Sequence, residues 1–275
     1  MVILEESTKI DIKSWSRDLL VTSRCLNVFP TPVKKLAAFS DLQVSGEDLS
    51  HIRPIYLDKD DSSIKNLFGR LRGLLVREAK LIYLDRSCCE ERQRFTLLHE
   101  IGHNLPWQVA ASTINADDDY TLSQETKEQF ELEASYFASE TMFQGDNFSL
   151  LAQNEPLSIE TPLKIAPIFG ASKHAALRRY VEYSPSKCAL LVMKEPKGCC
   201  VSLRDLFHSK SFLSSIGKLP FPDIIDAFQY PFVDLYTNSR KSGKGRFRMP
   251  INGNFIILNY EYFNNTYNGF VFIYP

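Results

Sequence analysis

Ten residues constrain this chain more than any other stretch: Arg94-Phe95-Thr96-Leu97-Leu98-His99-Glu100-Ile101-Gly102-His103. They carry H-E-x-x-H inside an apolar run that suits a helix. Residues four apart on a helix share a face, one turn apart. A helix here would aim the imidazoles of His99 and His103 at one ion and set Glu100 beside it. This is the pattern in which two histidines bind zinc and the glutamate acts as general base in peptide hydrolysis. The flanks agree with a helix. Ser87 and Glu90 have the S-x-x-E spacing of a capping box, and Glu90 and Glu91 suit the positive end of the helix dipole. Phe95, Leu98 and Ile101 recur near the 3.6-residue period. Gly102 is a poor helix former, which points to a neighbour too close for a side chain. Asn104 and Pro106 end the run.

A catalytic zinc takes three protein ligands and keeps a fourth position open for water. Gln124 to Phe143 reads as a second strong helix, with Phe130, Ala134, Phe137, Ala138 and Met142 in register. It offers three acids, Glu128, Glu131 and Glu133. Glu131 shares a face with Ala134, Ser135 and Ala138, small residues that allow a close helix-to-helix approach. Glu133 sits between Phe130 and Phe137 and stays open as the alternative third ligand.

Composition narrows the class. The chain has 275 residues, 44% of them apolar and 24% charged, as ordinary globular proteins do. A net charge of −1 gives no general electrostatic case for nucleic-acid binding. No apolar run reaches the roughly 18–20 residues of a membrane span, and the first residues lack a signal-peptide pattern. The reading is therefore a cytoplasmic protein without a membrane partner. Cys25, Cys88, Cys89, Cys188, Cys199 and Cys200 include two adjacent pairs but no C-x-x-C. Reduced thiols are the expected state, and a cysteine zinc site is the lesser alternative.

Several further elements are legible. Residues 11–26 suit an amphipathic helix with Ile12, Trp15, Leu19, Leu20 and Cys25 on its apolar stripe. Thr31 is placed to cap a short helix that Pro32 opens, carrying Val33, Leu36, Ala37 and Phe39. Residues 52–57 look like an edge strand with Pro54, followed by a polar turn over 58–63. Residues 71–76 and 80–84 are spaced as a β-hairpin that leads into the H-E-x-x-H helix. An open strand edge there would pair with an extended substrate backbone. Asp117-Asp118-Asp119 falls in a polar stretch without EF-hand spacing and reads as a solvated loop.

Taken together, two blocks resemble the ImmA/IrrE-type metallopeptidases. Arg94 to His103 is similar to their R-F-T-x-A-H-E-x-x-H segment. Glu131-Leu132-Glu133-Ala134-Ser135-Tyr136-Phe137-Ala138 is similar to their E-x-x-A-N-x-F-A block. The chain departs at Leu98 for Ala, at Ser135 for Asn, and at Met142-Phe143-Gln144 for L-M-P. The resemblance implies that Glu131 is the third zinc ligand, with one zinc per chain. It also implies an endopeptidase of narrow specificity whose substrate is a helix-turn-helix transcriptional repressor, in a stress or mobile-element response. Tyr120 and Tyr136 are candidates for stabilising the oxyanion or touching substrate. The alternative is a regulatory or DNA-binding protein with a vestigial peptidase fold.

The remainder divides in two. Residues 155–184 read as helix, Gly170 turn and helix, with Lys173, Arg178 and Arg179 on the second helix as candidate DNA contacts. Packing on the peptidase is the preferred reading there, because the basic residues are few. From residue 185 the chain turns β-rich, with strands at 188–193, 254–259 and 269–274 and a basic loop at 241–248. Tyr260, Tyr262, Phe263 and Tyr267 read as core before binding surface. The expected architecture is α+β: a zincin-like metallopeptidase domain over 1–154, with helices packed on a small β-sheet, a helix-turn-helix-like segment over 155–184, and a smaller β-rich C-terminal domain over 185–275.

Overall fold

The computed structural model describes residues 3–51, 72–114, 123–251 and 253–275. The strand read at 52–57, the turn at 58–63 and the triple aspartate at 117–119 lie outside them. The chain is a mixed helix and sheet protein that divides into two compact units, Met1–Asn147 with Pro167–Ser172, and Phe148–Ala166 with Lys173–Pro275.

The first unit holds α1 (Glu6–Thr22), α2 (Val33–Phe39), β1 (Gln43–Asp48), β2 (Gly73–Val76), β3 (Leu81–Leu84), α3 (Glu90–Gly102), α4 (Pro106–Ile114) and α5 (Gln124–Phe143). In α1 the buried positions are Ile12, Ser16 and Leu20, a strict i, i+4 row. Trp15, read as part of the apolar stripe, is 47% exposed. Ser16 takes a place in the core because its hydroxyl meets Thr141 Oγ1 of α5 at 2.9 Å. The helix stops at Thr22, and Arg24 with φ 55 turns the chain so that Cys25 is buried outside it. Thr31 does not cap α2; its hydroxyl donates to the Thr141 and Met142 carbonyls at 3.3 Å each.

The hairpin forms as read: β2 and β3 pair antiparallel, Leu75 opposite Ile82. A third strand, β1, pairs parallel on the other side of β3 and gives the order β1-β3-β2. The strand leading into α3 is therefore internal, and among the described residues β2 is the edge strand on the hairpin side. The capping box does not form. Ser87 gives both its amide and its hydroxyl to Asp85 Oδ1, Glu90 accepts from Arg94, and Cys89 stands at the cap without a side-chain bond. Asp85 wins the serine because it is buried and already anchored by Arg72 at 2.8 Å.

The second unit follows with α6 (Asn147–Gln153), α7 (Glu160–Ile165), a 3₁₀ turn (Ala166–Phe169), α8 (Lys173–Glu182), β4 (Ala189–Lys197), β5 (Cys200–His208), α9 (Lys210–Ser215), β6 (Ile224–Asp226), α10 (Pro231–Thr237), β7 (Ser242–Ile251), β8 (Asn254–Asn264) and β9 (Gly269–Tyr274). Residues 167–172 of the turn after α7 pack with the first unit: Phe169 meets Phe29 and Phe143 at 4.9 and 5.7 Å. The sheet is antiparallel in the order β6-β5-β4-β9-β8-β7. Central β4 is apolar from Ala189 to Met193 because both its faces are buried. One face meets Phe232, Tyr260 and Tyr262 in the main core. The other lies under α8, where Tyr180 packs on Phe272.

Residues 242–251 are a strand, not the basic loop read from their charge. Lys244, Arg246 and Arg248 face solvent while Phe247 and Met249 face the core, a period of two that the glycines had obscured. The aromatic cluster is core at Tyr260 and Tyr262, whereas Tyr267 is 78% exposed.

Candidate metal centre

Two helices of the first unit build the site because their contact is unusually close. A Cβ added at Gly102 would lie 2.9 Å from Ala134 Cα and 3.0 Å from its carbonyl oxygen. Glycine on α3 and alanine on α5 thus let the backbones touch. β2 closes another side, since a Cβ on Gly73 would fall 2.5 Å from Glu100 Oε1.

This packing brings His99, His103 and Glu131 to one point. Their ligand atoms all lie within 4.8 Å of one another. Glu131 Oε2 is 3.1 Å from His99 Nε2, and its Oε1 is 3.4 Å from His103 Nε2. The two Nε2 atoms are 3.2 Å apart. Nitrogen and oxygen donors at about 2.0–2.1 Å around a tetrahedral zinc stand roughly 3.3–3.4 Å from each other. The donor set therefore fits that ion. The rings meet edge to face at 89°, with their centroids 4.8 Å apart.

The far side of each ring is held. His103 Nδ1 is 3.1 Å from Gln108 Oε1, and His99 Nδ1 is 3.3 Å from Ser135 Oγ. Gln108 cannot flip freely. Its amide nitrogen donates to the Phe130 carbonyl at 3.2 Å and to Glu133 Oε2 at 2.9 Å. Its oxygen must then accept, so His103 carries a proton on Nδ1, and Nε2 is the ring nitrogen left to face Glu131 and His99. Glu133 anchors this chain of bonds, taking Trp107 Nε1 at 2.7 Å and Gln129 Nε2 at 3.1 Å as well. Glu133 is thus a support to the site, and the converging carboxylate is that of Glu131.

Glu100 is 7% exposed. Burial pushes its carboxyl pKa up; His99 and His103 pull it down, Glu131 raises it, and the Leu75 amide of β2 steadies the charged form. Glu131 is held well below the usual carboxylate range, chiefly by hydrogen bonds from His103 and His99. Arg77, in the β2–β3 turn, donates to the His103 carbonyl at 2.8 Å, and its buried Nη1 has no partner among the described residues.

Other sequence candidates fare differently. Tyr120 lies outside the described residues. Tyr136 is half-buried on α5, five residues past Glu131 and so turned about 140° from it. Of the candidate DNA contacts, Arg179 is 2% exposed and stacks at 3.7 Å on Tyr183. Burial removes it from any surface role. Arg178 lies over Phe207 and pairs with Glu182, and Lys173 lies over Phe263. Sequence reasoning missed Gln108, Trp107 and the supporting role of Glu133. Their only signal was an amide and an acid near the motif, with nothing to pair them.

Comparison with known proteins adds three findings. Residues 51–180 match the family model described as the IrrE N-terminal-like domain, Peptidase_M78. No curated protein matches the chain. Among solved structures, a Mycobacterium tuberculosis transcriptional regulator is similar, with a TM-score of 0.54 at 10% identity over 96% of this chain and 75% of that one. At that identity the likeness concerns the fold alone.

Proposed function

We propose a zinc-dependent endopeptidase function for this chain, which through residues 51–180 belongs to the IrrE N-terminal-like, or ImmA/IrrE, family of metallopeptidases. The observation that carries the reading is the convergence of His99, His103 and Glu131 with Glu100 buried beside them. Zinc held there supplies a Lewis acid that brings its bound water to a pKa of ~7 and polarises a carbonyl. The chain's own residues do the rest. Glu100 accepts a proton from the attacking water at its carboxylate and delivers it to the departing amine. Its burial suits both halves of that task, because the protonated form is tolerated between them. Leu75 N–H fixes the carboxylate, and β2 offers the strand edge beside which an extended substrate would lie. The proposed substrate is a helix-turn-helix transcriptional repressor, as the family resemblance implies.

The test incubates the full chain with candidate repressors, with and without chelator, and reads products by mass spectrometry. Glu100→Gln should keep its metal and lose cleavage by roughly 10²-fold or more. A purified chain that holds no metal and shows no affinity for zinc would overturn the proposal. The similar fold of a transcriptional regulator supports a second reading, in which the chain holds its partner without cutting it. Chelator-insensitive complex formation with no cleavage product would favour that reading.

A further inference from the structure

We propose that Cys199, Cys200 and Asp226 form a second metal site, in the β-sheet unit, for a thiophilic divalent cation such as zinc or cadmium. Neighbouring residues in a regular strand point to opposite faces. Here the two-residue connection Gly198-Cys199 between paired Lys197 and Cys200 breaks that alternation, with Gly198 at φ 63. The two sulfurs come to 3.9 Å. That is far beyond a disulfide and close to the roughly 3.8 Å that separates two thiolates at ~2.3 Å from a tetrahedral zinc.

The third donor arrives from the next strand. Cys200 is the register partner of Asp226, and the ligand atoms of all three residues lie within 4.8 Å of one another. The frame is tied before any ion binds. The Ala227 amide donates to the Cys199 carbonyl at 2.9 Å. The Phe228 amide donates to Asp226 Oδ1 at 2.8 Å, which fixes the carboxylate. Cys199 is exposed and Cys200 and Asp226 are half-buried, so an ion can enter and keep a fourth position for water. Two sulfurs and one oxygen select zinc or cadmium over magnesium or calcium. The site shares no residue with the histidine centre, and its test does not depend on peptidase activity.

The reduced full chain is titrated with cobalt(II), and the thiolate-to-cobalt charge-transfer band is followed. Histidine and carboxylate ligands contribute nothing to that band, so it reads thiolate-bound cobalt and is blind to the histidine centre. The band should saturate within two equivalents, one held by the cysteine site and one by the histidine centre; zinc and cadmium should abolish it, and magnesium should not. Cys199→Ser and Cys200→Ser should each eliminate it, and Asp226→Asn should weaken cobalt binding at least tenfold, all with unchanged circular dichroism. Absence of the band in the reduced wild-type chain would overturn the proposal. So would a band that survives both serine variants, which would move it to other thiols such as Cys88 and Cys89.

Discussion

Gly102 and Ala134 stand so close that a Cβ on the glycine would meet the alanine's Cα at 2.9 Å. The metal site depends on this contact, because it sets how near Glu131 on α5 comes to His99 on α3 and His103 at its C-cap. Gly102→Ala should improve helix propensity by up to about 1 kcal/mol, yet overpacking against backbone should cost about 1–3 kcal/mol. The expected net is a small loss of stability with a larger loss of zinc affinity, at least tenfold, as α5 is pushed away. Denaturant melts and competition with a chromogenic chelator check the two parts. Unaltered zinc affinity in a folded Gly102→Ala chain would separate the helix contact from the site.

Gln108 fixes the tautomer of His103 through an amide that Glu133 and the Phe130 carbonyl orient. Gln108→Leu removes the acceptor for His103 Nδ1–H and leaves the ring free to turn. Partners of this kind typically carry about 10–100-fold in metal affinity. The expected outcome is a zinc affinity reduced by that order with the fold retained, read by chelator competition beside circular dichroism. A leucine variant that binds zinc as the wild type does would show that the ring is oriented by its ligands alone.

Glu131 and Glu133 are two residues apart and do different work. Glu131→Gln should lower zinc affinity more than Gln108→Leu does, with little loss of stability, since Glu131 is exposed. Glu133→Leu should do the reverse. It takes the acceptor from the half-buried Trp107 Nε1 and from one N–H of the buried Gln108 amide, the latter costing about 1–3 kcal/mol. Thermal melts and zinc titrations of the pair separate the roles. Equal zinc loss with equal destabilisation in both would refute the division.

What the sequence made legible is what period and spacing encode. The H-E-x-x-H face, the 124–143 helix, the hairpin and the vacant side chain at Gly102 all follow from local rules. What escaped depends on partners far along the chain. Gln43–Asp48 has no apolar alternation and becomes a strand because β3 needs a second neighbour. The Ser87 cap was lost to Asp85, a competitor two residues away that burial and Arg72 made stronger. The stretch 242–251 looked like a loop because lysine, arginine and glycine are weak strand formers. Pairing with β8 along its whole length overrode that preference. Gln108 and Glu133 are joined across 25 positions by a single hydrogen bond, which no pattern in the chain announces.

His208 gives the β-sheet unit a pH dependence of known sign. Its ring packs on Phe212 at 5.6 Å, and its Nε2 accepts from the Leu219 amide at 3.2 Å. A protonated ring cannot accept that bond. Burial first, and the Lys218 charge second, hold its pKa down at about 4. In the unfolded chain it returns to about 6.5. Between those values the unfolded chain binds a proton that the folded one refuses, so this contribution is complete above about pH 6.5 and is lost as the pH falls toward 4. Because the ring is only half-buried, solvent screening limits the effect to about 1 kcal/mol. His208→Gln keeps an oxygen for the Leu219 amide and removes the titration. Wild-type melting temperature should fall more steeply than that of His208→Gln from pH 6.5 to 4, on top of the carboxylate titrations common to both. Parallel curves would mean that His208 is solvated well enough to protonate in place.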